Sequence, residues 1–370
     1  MDSQGDSAIG KQRNIFMRPL KPKTLVIAAA LVTVLAGASV TGYRLAVRQQ
    51  HYAKAAWCWQ KAAALLPEDS KKERSLYLSN AGKDFYLVAR YSDALPLLEQ
   101  SLVISRELGD KAGEGAMLNN IGALHHAKGD YDKALPLLEQ SLVISREIGD
   151  KAGQGTTLNN ISQIYQARGD YTTALKYLEQ SLVIRREIGD KAGEGKTLSN
   201  IGVFHHAKGD YDKALPLYEQ SLAIRREIGD KAGEGTTLNN IGEIHYAHGD
   251  YDKALPLLEQ SLVIRREIGD KAGEGTTLSN IGLIYQARGD YTTALKYYEQ
   301  SLVIYRDIGN KAGEAGTNWN IGLTYEDQGD LRKAEAYIIR AVVLATELGH
   351  PKLREWYVEL ADIRAKLRGK

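Results

Sequence analysis

The chain has 370 residues, 43% hydrophobic and 25% charged, and its 48 Lys and Arg nearly cancel 46 Asp and Glu. That balance excludes a disordered tail and a polybasic nucleic-acid binder. A single cysteine, Cys58, excludes an intrachain disulfide and any Cys-based metal cluster, while 36 Gly and 21 Tyr against 3 Phe point to one short pattern copied many times.

Residues 1–23 form a basic polar tail. Residues 24–43 follow as a run of 20 without a charge, TLVIAAALVTVLAGASVTGY. As a helix such a run spans about 30 Å, the thickness of the hydrocarbon core, so a transmembrane helix is expected. A cleaved signal peptide is the alternative, with Ala36-Gly37-Ala38 as the small-residue site. Lys11, Arg13, Arg18, Lys21 and Lys23 precede the run, against Arg44, Arg48, Lys54 and Lys61 after it. Because translocating so basic a tail is disfavoured, the rest of the chain is expected outside the cytoplasm as a single-pass membrane protein, or secreted if the segment is a signal. Residues 44–69 then read as a juxtamembrane helix that covers the first of the copies that follow, with Cys58 between Trp57 and Trp59 as packing.

Those copies announce themselves by a Gly-Asp-Tyr start at Gly129, Gly169, Gly209, Gly249 and Gly289, each 40 residues after the last. Degenerate versions flank them at Ala89–Leu95 and Gly329–Ala334, giving seven units over residues 70–349. Each unit reads as two helices. Leu118, Ile121, Leu124 and His125 make the apolar stripe of the first, which Gly129 ends by taking positive φ. Asp130 is the expected N-cap of the second, whose stripe is Tyr131, Ala134, Leu135, Leu138, Leu142 and Ile144. Pro136 and its equivalents should bend that helix. Gly149 ends it, Asp150 caps the next, and Ala152, Gly153 and Gly155 are small enough for a neighbouring helix to approach closely. No run alternates with period two for long enough to be a strand.

Asn120-Ile121-Gly122, a His or aromatic at 125, Gly129, Tyr131 and Ala134 have the spacing of a tetratricopeptide repeat, and the stretch resembles that family in its 40-residue form, as in kinesin light chain and bacterial repeat proteins. The resemblance implies an all-α, right-handed superhelical solenoid used as a protein-binding scaffold, without catalysis or cofactor. It departs from the 34-residue pattern in lacking the Pro that closes the second helix. Beyond the repeats, residues 350–370 form a C-terminal capping helix opened by Pro351, with Leu353, Trp356, Tyr357, Leu360, Ile363 and Leu367 on its apolar face.

Motifs for chemistry are missing. His125-His126 and His205-His206 lack a HExxH spacing or a Cys partner, and adjacent helical residues point about 100° apart, which suits packing better than a metal. There is no Walker-type GxxxxGK[ST] and no GxSxG. The most informative pattern is an Asn in all seven units: Asn80, Asn120, Asn160, Asn200, Asn240, Asn280 and Asn320. A carboxamide both donates and accepts, so a row of them can pair with the backbone of an extended peptide whatever its sequence. The alternative is a helix-to-helix hydrogen bond within the stack. In the family such a ladder lines the concave surface, and the resemblance places beside it Ala116, Asn119, Ala123 and His126; Thr156, Asn159, Gln163 and Gln166; and Lys196, Ser199, Val203 and His206. The next two units supply Thr236, Asn239, Glu243 and Tyr246, then Thr276, Ser279, Leu283 and Gln286. Only Lys83 and Lys196 stand beside an Asn, too few for a carboxylate clamp. The expectation is a membrane-anchored scaffold binding a protein or peptide segment, with self-assembly through the repeats or the membrane helix as the rival.

Overall fold

The computed structural model describes residues 44–369, with side chains from residue 51. The segment 24–43 read as a membrane helix lies outside the described residues, as does the basic tail. No helix among the described residues is long and apolar enough to cross a membrane.

Sixteen helices and no strand are found among the described residues. Helix α1 (Arg44–Leu65) precedes seven hairpins: α2 (Lys71–Leu87) with α3 (Tyr91–Glu107), α4 (Lys111–Ala127) with α5 (Tyr131–Glu147), α6 (Lys151–Ala167) with α7 (Tyr171–Glu187), and α8 (Lys191–Ala207) with α9 (Tyr211–Glu227). The series continues through α10 (Lys231–Ala247) with α11 (Tyr251–Ile268), α12 (Lys271–Ala287) with α13 (Tyr291–Asp307), and α14 (Lys311–Asp327) with α15 (Leu331–Leu348), and closes on α16 (Leu353–Arg368). The seven hairpins are units 1 to 7 in chain order.

Turn chemistry sets these boundaries. Gly129 (φ 80°) and Gly149 (φ 71°) take the left-handed conformation, and so does a glycine at nearly every other helix junction. Asp150 accepts from Gly153 N at 2.9 Å, a true cap. Asp130 occupies the cap position but its side chain makes no capping bond; it turns instead to His125 Nδ1 at 3.3 Å. The second helices run through Pro96, Pro136, Pro216 and Pro256 without a break.

Within a unit the two helices meet where Gly122 faces Leu138, close enough that an added Cβ would sit 2.7 Å from Leu138 Cγ. Ala134, Leu138, Leu118 and Leu124 are all but inaccessible there. A feature absent from the apolar pattern recurs beside them: Ser141, Ser181, Ser221, Ser261 and Ser301 are buried, and each hydroxyl donates at 2.8 Å to the carbonyl of a first-helix glycine 26 residues back. These bonds lock helix to helix at a fixed height. At the C-terminal end Trp356, Leu360 and Ile363 are buried, and Trp356 stacks on Trp319 at 4.6 Å, so α16 covers unit 7. Tyr357, expected on that apolar face, is half exposed; one residue from Trp356, it is turned about 100° away. At the other end Ala56 and Ala63 of α1 are buried and Trp59 packs on Tyr77 at 5.3 Å.

Candidate binding groove

Consecutive first helices touch one another, a contact that consecutive second helices do not match. The first helices are therefore the tight side of the curve, and their accessible stripe lines the hollow. On α4 that stripe holds Ala116, Asn119, Asn120, Ala123 and His126. Asn80, Asn120, Asn160, Asn200, Asn240, Asn280 and Asn320 are all half-buried on it, and Gln163, Gln166, Glu243, Tyr246, Gln286, His126 and His206 keep partial access. Lys196 is exposed.

Three of the expected groove residues are not available to a guest. Asn159 and Asn239 are each only 4% exposed, and Ser199 is likewise buried. The two asparagines lie between stacked first helices, where their side chains serve the stack. Asn159 Oδ1 accepts from Asn200 Nδ2 at 2.7 Å, and Asn239 Oδ1 accepts from Asn280 Nδ2 at 3.1 Å. Asn119 does the same for Asn160 at 3.0 Å while keeping some access. The recurring asparagines thus divide. Where the residue 41 positions earlier is Asn, the amide donates into the stack; where it is Ser, at 79, 199 and 279, Asn120, Asn240 and Asn320 have no such partner. The sequence carried this signal as Asn-Asn against Ser-Asn pairs, and only the contact between neighbouring units gives it meaning.

Two tyrosines reach the groove from below. Tyr218 and Tyr298, where other units place Leu138 or Leu258, are wholly buried beside Gly202 and Gly282. Tyr298 donates to Gln286 Oε1 at 2.9 Å, and Gln286 Nε2 donates to Asp327 Oδ2 at 2.9 Å. Tyr218 lies beside Asn240, yet its hydroxyl makes no well-formed hydrogen bond. Burial drives both phenols far above their usual range, so they stay neutral donors.

Three of the histidines serve the turns between helices. His125, His205 and His245 face Asp130, Asp210 and Asp250 at 3.3, 3.6 and 3.7 Å. In the units with Tyr165, Tyr285 or Tyr325 in that place, Asp170, Asp290 and Asp330 cap their helices instead. The bond from His125 leads the causes that hold Asp130 below the usual carboxylate range. His126 packs on Tyr131 at 5.6 Å, and burial lowers its pKa, which keeps it neutral near pH 7. Among the described residues, one group of carboxylates is close enough to share a metal ion: Glu326, Glu359 and Asp362. Lys366 already supplies its cation, 2.8 Å from Glu326 and bonded to Asp362, so the cluster fastens α16 to α14.

A family model for the tetratricopeptide repeat matches residues 113–187, 193–267, 236–307 and 273–347. No curated protein matches the sequence. Among solved structures, the chain is similar to a signal transduction ATPase with numerous domains, carrying a tetratricopeptide repeat sensor, from Pyrococcus horikoshii. The TM-score is 0.66 at 18% identity, covering 96% of this chain and 51% of that one, so this chain spans about half its length. It is similar also to the apo quorum sensor NprR from B. thuringiensis (TM-score 0.62, 18% identity, 88% of this chain and 98% of that one). A third is a Rap protein complexed with competence and sporulation factor (TM-score 0.56, 14% identity, 88% and 98%). At these identities the likeness is one of fold.

Proposed function

The chain belongs to the tetratricopeptide repeat family, and from that premise we propose that it is a non-catalytic scaffold holding an extended protein segment against the accessible face of its first helices. The observation that supports this is the unbroken row of seven half-buried carboxamides beside positions whose chemistry changes from unit to unit. The constant row suits a guest backbone, and the varying neighbours suit its side chains. Because Asn160, Asn200 and Asn280 spend their donors on the stack, the amides of Asn120, Asn240 and Asn320, which make no such bond to a neighbouring first helix, carry the recognition. The apolar run 24–43 is read as the anchor that holds the repeats to a membrane, on its extracytoplasmic side.

The test is affinity capture of partners with the full-length protein in detergent, quantified by mass spectrometry. Changing Asn120, Asn240 and Asn320 to Ala together should abolish capture of a specific partner without moving the thermal midpoint by more than a few degrees. Undiminished capture by that triple variant would refute the groove. Resistance of the protein to extraction by alkaline carbonate tests the anchor; release into the soluble fraction would refute it. One observation favours self-assembly as a second reading: Val103, Val143, Val183, Val263, Val303 and Val343 stand at one position of the second helices and are each more than half exposed. Light scattering that shows growth of mass with concentration would support that reading.

A further inference from the structure

The groove face carries charge, and the charge is sorted along the stack. In each first helix the residues equivalent to Ala116, Asn120, Ala123 and His126 lie on this face, and the residue equivalent to Ala127, one turn beyond Ala123, continues it. Five of them are charged across the seven units. Lys83 and Lys196 fall in units 1 and 4, and Glu243, Glu326 and Asp327 fall in units 5 and 7. At these positions units 1–4 hold no acid and units 5–7 hold no base.

Four of the five charges are unspent within the protein. Glu326 is paired with Lys366 at 2.8 Å. Among the described residues, Lys83, Lys196, Glu243 and Asp327 form no ion pair within 4.0 Å. The carboxylate that acts electrostatically on Lys83, its neighbour Asp84, is itself bonded to Trp59.

The two acids are held in place by neutral donors. Glu243 Oε1 receives Asn239 Nδ2 at 2.8 Å and Asn280 Nδ2 at 2.7 Å, and Asp327 Oδ2 receives Gln286 Nε2 at 2.9 Å. Amides orient a carboxylate without cancelling its charge, which leaves it a fixed acceptor for an incoming guanidinium or ammonium. Packed helices lie roughly 10 Å apart, so the ends of the row are several Debye lengths (about 8 Å at physiological salt) from each other, and each half presents its own sign.

On the reading of this face as a peptide groove, we infer that the occupant is a polypeptide segment with separate acidic and basic stretches, the acidic stretch on units 1–4 and the basic stretch on units 5–7. A guest of one sign throughout would be attracted by one half and repelled by the other. The sorting therefore sets the direction in which the guest lies, which a row of identical amides by itself does not.

The experiment uses the full-length protein and three fluorescein-labelled probes: hexa-aspartate, hexa-arginine, and the two joined by a neutral spacer of about six residues, some 20 Å when extended. Fluorescence anisotropy at low salt should show the single blocks binding without competing with each other, and the joined probe binding at least roughly tenfold more tightly than either. Lys83→Glu with Lys196→Glu should weaken the aspartate block roughly tenfold and spare the arginine block. Glu243→Gln with Asp327→Asn should do the reverse; these isosteres keep the acceptor oxygens for Asn239, Asn280 and Gln286, so the fold is retained. Competition between the blocks, or charge variants without effect, overturns the sorting. If the joined probe then still depends on Asn120, Asn240 and Asn320, the groove stands and its polarity falls; if it ignores those amides as well, both fall.

Discussion

Gly122 is the contact on which one unit's packing can be weighed. An alanine there would put its Cβ 2.7 Å from Leu138 Cγ, 2.8 Å from Leu138 Cδ2 and 3.3 Å from the Ala134 carbonyl oxygen. Favourable contact between carbons needs about 3.5–4.0 Å, so close to 1 Å of separation must be found between α4 and α5. Leu138 has no room to give, being inaccessible to solvent itself. Overpacking of this kind costs about 1–3 kcal/mol, and alanine returns about 1 kcal/mol of helix propensity, leaving a net destabilisation of up to about 2 kcal/mol. At Gly202 and Gly282 the opposing group is the ring of Tyr218 or Tyr298, at 2.7 and 2.6 Å, and a rigid ring should put those substitutions at the upper end. Gly316 is the control: it lies inside α14 with nothing within 4 Å of an added Cβ, so Gly316→Ala should stabilise by up to about 1 kcal/mol. Urea unfolding followed by far-ultraviolet circular dichroism measures the order. Because a solenoid can open locally, hydrogen exchange should also place the Gly122→Ala loss in α4 and α5. A Gly122→Ala protein as stable as Gly316→Ala would refute the claim that these glycines set the helix-to-helix distance.

Tyr218→Phe removes a buried hydroxyl that has no well-formed bond, so it should leave the urea midpoint unchanged or raise it, whereas Tyr298→Phe loses the bond to Gln286 and should cost about 1 kcal/mol. Equal effects of the two would show that the tyrosines are bonded alike. Burial by itself would raise the Glu274 carboxyl, but bonds from Lys271 and Arg266 outweigh it and hold the group below its ordinary range. A carboxyl depressed in the folded chain stabilises above its unfolded pKa, about 4.3, and that contribution is lost as pH falls through the lower folded value. Glu114 and Glu234 are clamped in the same way. The urea midpoint should therefore drop on acidification below about pH 4.3, and Glu274→Gln should lower it at neutral pH while flattening the acid limb; an unchanged limb in the variant would contradict the assignment.

The repeat length, the two helices of each unit and the glycine turns were legible in the primary structure because every copy solves the same packing problem. Gly122, Ala134, Leu138 and Gly129 must recur in register wherever two helices meet at one distance and turn at one place. The buried serines escaped because a small polar residue breaks no apolar period, and its meaning lies in a carbonyl 26 residues away. Asp130 looked like a cap as good as Asp150, but the His125 ring competes for its carboxylate.

Which amides remain free was decided by tertiary structure. Asn159 and Asn160 are neighbours of one residue type, yet the first sinks between units and the second stays at the groove. A helix turns them about 100° apart, and the fate of each donor depends on the residue that the adjacent unit sets against it. A local pattern specifies what repeats within one chain segment, whereas a hydrogen bond between units belongs to a pair of positions that only stacking brings within reach.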